Sequence, residues 1–281
     1  MSAFKKLSLL LNNTLLTYLM FVMKHKYLPS FRSPKTFSEK VNAIKLYSSY
    51  KLRELVVDRV KVRDYVKKLS PGCDLIPILW SGTEINDEVF VNLPNKFVIK
   101  ANHGSGMVKL CNKEETNLDE LNSIFQEWLD IDYSKLGREW FYKDVERLII
   151  IEEMLDFSGE APPDFKFFTS RGKAFLVQLD LDRFKGHKRN IYDEHFNLLN
   201  VKIKRNNGPL LEKPATFDKA RKIAEDLSVD FDFIRVDLYL VGDKIYFGEL
   251  TNVPGNGFEK IYPKKADYDL AKYIPVLDEC K

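Results

Sequence analysis

Charged residues set inside apolar runs are the first places where this chain could do chemistry. The stretch FIRVDLYLV carries Arg235 and Asp237 two positions apart, and KIYFGELTNVPG carries Glu249 just before a Pro-Gly break. With a turn at Gly242-Asp243 the two stretches form a hairpin in which Asp237 falls opposite Glu249, give or take one residue. Facing carboxylates repel unless a cation sits between them. Magnesium suits such a place, because it is hard, prefers oxygen and commonly takes one or two carboxylates plus phosphates. Arg235 shares a strand face with Asp237, and a guanidinium can grip a phosphate through two parallel hydrogen bonds. A hairpin bearing only an Arg235 salt bridge fits the same residues.

Three other places carry polar groups of a similar kind. FVIKANHGSG ends a strand on Lys100 and enters a turn with Gly104 and Gly106 around Ser105. Such a turn lets backbone N–H groups approach phosphate oxygens while the lysine adds a point charge, although a plain hairpin loop reads the same way. His103 in that loop reads as a hydrogen-bonding residue rather than a catalyst. IIIEEML runs a buried strand into Glu152 and Glu153, either as a simple strand end or as a hinge offering backbone groups to an adenine edge. In PPDFKFF, Asp164 and Lys166 lie on one face of a strand, so an inward Lys166 needs a partner, either Asp164 or a phosphate.

The elements that must hold these residues are legible as well. Thr36 stands three residues before Glu39, the spacing of a capping box, and predicts a helix over 37–48. KLRELVVDRVKVRDYVKKL predicts a second helix, ended at Pro71-Gly72. NKFVIK and MVKLC predict a hairpin, Asn117 caps a helix over NLDELNSIFQEWL, and DFKFFTS and KAFLVQLDLD pair around Arg171-Gly172. Thr216 is expected to cap a helix whose buried face is Ala220, Ile223, Ala224 and Leu227. Strands in hairpins with intervening helices make the chain α+β.

Composition excludes some functions. The chain has 281 residues with 44 basic against 41 acidic side chains, which lacks the basic excess of a nucleic-acid binder. Cys73, Cys111 and Cys280 have no close spacing, which argues against a zinc cluster or disulfide framework and for a reducing compartment. Near the start, Lys5 and Lys6 precede LSLLLNNTLLTYLMFVM, and Lys24, His25 and Lys26 follow. This reads first as a helix packed on the protein; the sharper alternative is peripheral membrane contact through residues 1–28.

The order of these parts resembles the ATP-grasp superfamily, and more narrowly the TupA-like ATP-grasp family, named for teichuronopeptide biosynthesis. The matching stretches include PKTFSEKVNAIKL, LVVDRVKVRDYV, LPNKFVIKANHGSG, RLIIIEEML, DRFKGHKRNIYDEHFNLL and FIRVDLYLVGDKIYFGELTNVPGNGF, which span most of the chain. The resemblance implies two α+β subdomains clamping ATP behind an N-terminal helical segment: 1–75 helical, 76–151 the small lid, 152–281 the subdomain with the metal site. It implies that Lys100 contacts ATP phosphates, that His103, Gly104, Ser105 and Gly106 close over them, and that Glu152, Glu153 and Leu155 form the adenine hinge. Lys166 and Arg63 match basic residues near the nucleotide, Arg235 the arginine near the transferred phosphate, and Arg183 an arginine on the substrate side. Asp237, Glu249 and Asn252 match ligands of Mg2+. The chain departs from the pattern twice: it has Asp58-Arg59 where family members tend to read Asp-Lys, and Thr251 aligns with the third ligand of D-alanine–D-alanine ligases, with Asn252 next to it. The implied activity is an ATP-dependent carboxylate–amine ligase joining an amino acid or peptide to a uronic acid of a surface polysaccharide, in the cytoplasm or at the inner face of its membrane. A sugar kinase on the same scaffold and a glycosyltransferase-like protein are the alternatives.

Overall fold

The computed structural model describes residues 12–155, 164–181, 186–275 and 277–278. The chain divides into two compact units: Met1–Tyr50, Pro163–Asp237 and Thr251–Lys281 form the first, and Lys51–Pro162 with Leu238–Leu250 form the second. The first unit opens with α1 (Asn13–His25) and α2 (Phe37–Tyr47). The second then runs α3 (Leu52–Val57), α4 (Val62–Leu69), β1 (Asp74–Leu75), β2 (Ile78–Gly82), α5 (Asp87–Asn92), β3 (Lys96–Ala101), β4 (Val108–Asn112), α6 (Leu118–Leu129), α7 (Tyr133–Gly137) and β5 (Ile149–Glu153). The chain returns to the first unit for β6 (Asp164–Ser170), β7 (Lys173–Leu181), β8 (Lys188–Tyr192), β9 (Lys202–Ile203) and α8 (Phe217–Asp226). It changes unit inside β10 (Ile234–Val241) and again near the end of β11 (Lys244–Thr251), then closes with β12 (Ile261–Tyr262) and α9 (Lys264–Ala271).

In the second unit β2, β5, β3 and β4 form an antiparallel sheet in that order. Phe97, Ile99 and Ala101 alternate along β3 toward a core with Leu121 and Phe125 of α6. β5 is central and its Ile149, Ile150 and Ile151 are all buried, as expected of a strand covered on both faces. Asn117 caps α6 as its position predicts, with Oδ1 accepting from the N–H of Glu120 at 2.8 Å. In the same unit β1 pairs in parallel with β11, which neighbours the second half of β10 across the turn at Gly242.

In the first unit the sheet order is β10, β6, β7, β8, with β6 and β7 joined at Arg171-Gly172, both at positive φ. That is the geometry of a two-residue turn matched to strand twist. Every residue of β6 is buried, so its polar members must find partners inside. The capping box of α2 forms as the sequence predicts: Thr36 accepts from the N–H of Glu39 at 3.1 Å, and Glu39 accepts from the N–H of Thr36 at 3.1 Å.

Two expectations are corrected. The segment 51–69 is not one helix. Asp58 leaves helical geometry at ψ 108°, and its Oδ1 accepts from the N–H groups of Val60 and Lys61, both at 3.0 Å. Aspartate side chains compete for the backbone in this way, ending one helix and starting the next. Thr216 precedes α8 but makes no side-chain cap. The chain instead enters through a turn in which Phe217 N–H donates to Pro214 O at 3.0 Å, with Phe217 fully buried. The expected buried face of Ala220, Ile223, Ala224 and Leu227 is present.

α1 is fastened to the first unit by aromatic packing. Phe21 is buried, stacks on His25 at 4.2 Å and meets Phe31 edge-on at 5.3 Å. Among the described residues no helix is long and apolar enough to cross a membrane. Burial, helped by Lys260 and opposed by Glu39, pushes the His25 imidazole down from 6.5 to about 4. The folded state therefore holds His25 neutral while the unfolded chain protonates it below 6.5, so its stabilising contribution is complete above 6.5 and is lost as pH falls toward 4. Replacing His25 with Phe keeps the stack and removes the titration. Urea denaturation at a series of pH values should show a flatter stability profile for H25F than for the parent between pH 6.5 and 4; parallel profiles would refute it.

Candidate functional site

The second unit gathers its charged residues around Glu152. Val98 pairs with Glu152 across the β3–β5 ladder, which puts Lys100 diagonal to it on the same face. Lys100 Nζ donates to Glu152 Oε2 at 2.5 Å. Arg63 approaches the other oxygen at 4.0 Å and donates to Ile76 O at 2.8 Å. Burial lowers the Arg63 pKa, partly offset by Glu152. Glu152 is thus a buried carboxylate held between two cations.

Arg59 ties a second set together. The helix break at Asp58 frees its backbone N–H to donate to Asn102 Oδ1 at 2.7 Å. Its guanidinium donates to Ala101 O at 3.2 Å and Gly104 O at 3.4 Å, and meets Glu249 Oε2 at 3.4 Å. Burial alone would lower the Arg59 pKa; Glu249, with Tyr142 and Glu152, reverses this and raises it. Arg59, Arg63, Tyr142, Glu152 and Glu249 line a shallow, open cleft, whose remaining walls include Val56, Val57 and Phe247. Several charged groups thus converge on one opening of the second unit.

The glycine loop is fixed by sterics and by hydrogen bonds. A Cβ at Gly104 would stand 2.5 Å from Met107 Cε and 2.8 Å from the Tyr133 ring, and Gly106 has φ +82°. Neither position accepts an ordinary side chain without strain. Ser105 between them is exposed. His103 is buried, and its Nε2 donates to Trp128 O at 3.0 Å. Burial lowers its pKa, so it is a neutral hydrogen-bonding residue of the loop. At the end of β5, Glu153 is exposed and its N–H donates to Pro77 O at 3.0 Å; Leu155 follows in irregular chain.

In the first unit the charges are more deeply buried. Lys166 Nζ donates to Asp164 Oδ2 at 2.5 Å and to Asp237 Oδ2 at 2.6 Å. Arg235 forks onto Asp237, with Nε to Oδ1 at 2.6 Å and Nη2 to Oδ2 at 2.7 Å, and also donates to Thr251 Oγ1 at 3.0 Å. Two anions and two cations balance. The fork expected to grip a phosphate grips a carboxylate, and the buried lysine takes Asp164, its nearest acid in sequence. Asn252 is buried beside Thr251 in the chain. Arg183 lies outside the described residues.

Taken singly, the expected metal ligands have suitable donor chemistry: Asp237 and Asn252 in the first unit and Glu249 in the second each carry a hard oxygen of the kind magnesium prefers. Among the described residues no group of three or more His, Cys, Asp and Glu side chains is arranged to hold a metal, which a site using two carboxylates does not require. Sequence reasoning treated Arg59 and Thr251 as departures from a pattern. Both are placed in the charge networks, Arg59 on Glu249 and Thr251 on Arg235. The sequence offered no local signal for either contact, because their partners lie on other elements or depend on strand pairing.

The family model described as TupA-like ATPgrasp matches residues 39–275. No curated protein matches. Among solved structures, the D-alanine–D-alanine ligase from Bacillus anthracis is similar at 18% identity and a TM-score of 0.47, covering 80% of this chain and 66% of that one. The Helicobacter pylori D-alanine–D-alanine ligase gives 15% identity and 0.44, over 85% and 69%. The N5-carboxyaminoimidazole synthase from Aspergillus clavatus gives 10% and 0.42, over 76% and 50%. The chain thus spans about half to two thirds of the length of these structures.

Proposed function

Since this chain belongs to the TupA-like ATP-grasp family, we propose that it is an ATP-dependent carboxylate–amine ligase. A substrate carboxylate oxygen attacks the γ-phosphorus of ATP and the bond to the β,γ-bridging oxygen breaks, leaving ADP and an acylphosphate. An amine nitrogen then attacks the acyl carbon, inorganic phosphate leaves, and the nitrogen loses a proton to give the amide.

The residues of this chain supply position and charge. In the second unit, Lys100 and Arg63 contact nucleotide phosphates, the 103–106 loop excludes water that would hydrolyse the acylphosphate, and the backbone of Glu153 and Leu155 meets the adenine. In the first unit, Lys166 and Arg235 stabilise charge on the transferred phosphoryl group, and Arg183 orients the substrate. Asp237, Glu249 and Asn252 would hold Mg2+, which neutralises phosphate charge when bound. The observation that carries this reading is the Asp164–Lys166–Asp237–Arg235 cluster. Well-packed apolar side chains are often at least as stable in such a place, and local rules of this kind are broken mainly at functional sites.

The family name points to a uronic acid of a surface polysaccharide or its precursor as the carboxylate, and to an amino acid or peptide as the amine. Fold alone does not fix substrate, so the test is ADP release by the purified protein with uronic acids and amino acids, singly and in pairs. Release that needs both partners, with hydroxylamine trapping the acyl group, supports ligation. Release with the sugar alone and a phosphorylated sugar as product would make the protein a kinase.

A further inference from the structure

The first 38 residues differ from the remainder in charge. No Asp or Glu precedes Glu39, while Lys5, Lys6, Lys24, Lys26, Arg32 and Lys35 do. Of the 44 basic and 41 acidic residues, six of the former and none of the latter lie there, so the remainder carries a net charge of −3. The family match begins at residue 39, where the acid-free stretch ends. The family-matched body and the basic segment are therefore marked off by two independent criteria.

α1 supplies the apolar part. Leu15, Leu19 and Met23 recur every fourth residue and are 46%, 43% and 56% exposed. Residues at that spacing share one helix face. The opposite requirement is met by Leu16, Thr17 and Phe21, which are buried. The helix is thus anchored by one side and presents a leucine–methionine stripe on another.

Basic groups crowd its C-terminal end. Lys24 lies in the last turn and Lys26 follows directly. Two lysines distant in sequence join them: Lys264 Nζ sits 4.5 Å from the Tyr27 ring centre, and Lys260 is close enough to His25 to lower its pKa. Two acids of this region turn inward. Glu39 is buried and accepts from the N–H groups of Ser30, Lys35 and Thr36 at 3.0, 2.7 and 3.1 Å, and buried Asp267 accepts from Ser38 N–H at 2.8 Å.

We infer that α1 is a docking surface for an anionic lipid bilayer, with Leu15, Leu19 and Met23 entering the headgroup boundary and Lys24, Lys26, Lys260 and Lys264 on acidic headgroups. Apolar contact and basic charge each bind such a surface weakly and become effective together. An apolar partner face would not need the charge, and a second copy of this segment would meet it with like charge, so the lipid surface is the occupant favoured. None of the residues assigned to docking is among those given a catalytic or nucleotide-binding role.

The full chain is tested by flotation with vesicles containing about one-third phosphatidylglycerol in phosphatidylcholine, against phosphatidylcholine alone. The protein is expected to float with the anionic vesicles, and to lose about tenfold or more in partition at high salt, where screening shortens the reach of the charges. Leu19→Ser with Met23→Ser, both exposed, should lower partition by roughly tenfold at low salt and leave the melting temperature unchanged. Lys24→Gln with Lys26→Gln should reduce the preference for the anionic vesicles. Absence of flotation by the parent chain, or equal flotation by the serine variant, overturns the inference. So does self-association seen in sedimentation and abolished by the same serine substitutions, which would assign the stripe to a second copy.

Discussion

Asp237→Asn is expected to cost both activity and stability. The Asp237 carboxylate accepts from Lys166 at 2.6 Å and from Arg235 at 2.6 and 2.7 Å in a place that is 2% exposed. An amide keeps the shape but not the charge, leaving two buried cations to share Asp164. Removing one partner from a buried ionic cluster costs about 3 kcal/mol, here moderated because Lys166 keeps Asp164 and Arg235 keeps Thr251. For a chain of this size that lowers the melting temperature by roughly 5–10 °C. On the proposed function, ADP formation should fall by about 100-fold or more, through loss of the proposed metal ligand and of the carboxylate that orients Arg235. Adding Lys166→Met to Asp237→Asn restores charge balance, so the double variant should regain part of the stability and none of the activity. A single variant with parental melting temperature would show that the cluster is not the buried, coupled unit seen here.

Glu249→Gln is expected to separate those two effects. Glu249 has a side chain about one-third exposed and a long 3.4 Å contact with Arg59. Partly exposed pairs of this kind contribute about 0–1 kcal/mol, so the melting temperature should hardly move. ADP formation should still fall by about 100-fold or more, because a neutral amide is a poor magnesium ligand and no longer offsets the charge of Arg59. The magnesium concentration for half-maximal rate should rise in parallel. ADP formation within a factor of about two of the parent, at limiting magnesium, would remove Glu249 from the site.

The sequence displayed local features well. The hairpins were legible because each turn carries a glycine, which enters positive φ freely: Gly242 at 57° and Gly172 at 76°. The capping box of α2 was legible because it uses only Thr36 and Glu39. The break between α3 and α4 was not, since part of what holds it is the bond from Arg59 N–H to Asn102, which lies 43 residues away. The same division holds for the charges. That Lys166 must be paired follows from its apolar neighbours. That it bridges Asp164 and Asp237 depends on which strands lie side by side. Arg59 shows the limit clearly: as one more cation in a basic helix it gave no hint of Glu249, 190 residues on.

The salt bridge between Lys100 and Glu152 carries a consequence for selectivity. An ammonium that already has an anion at contact distance gains little from chloride or another small ion, which must first outcompete the resident carboxylate. Where Lys100 takes nucleotide phosphates as proposed, a guest bringing several negative charges at once competes better than a single small anion. The bound acid would then act as a threshold, turning away weak anions before any question of shape arises.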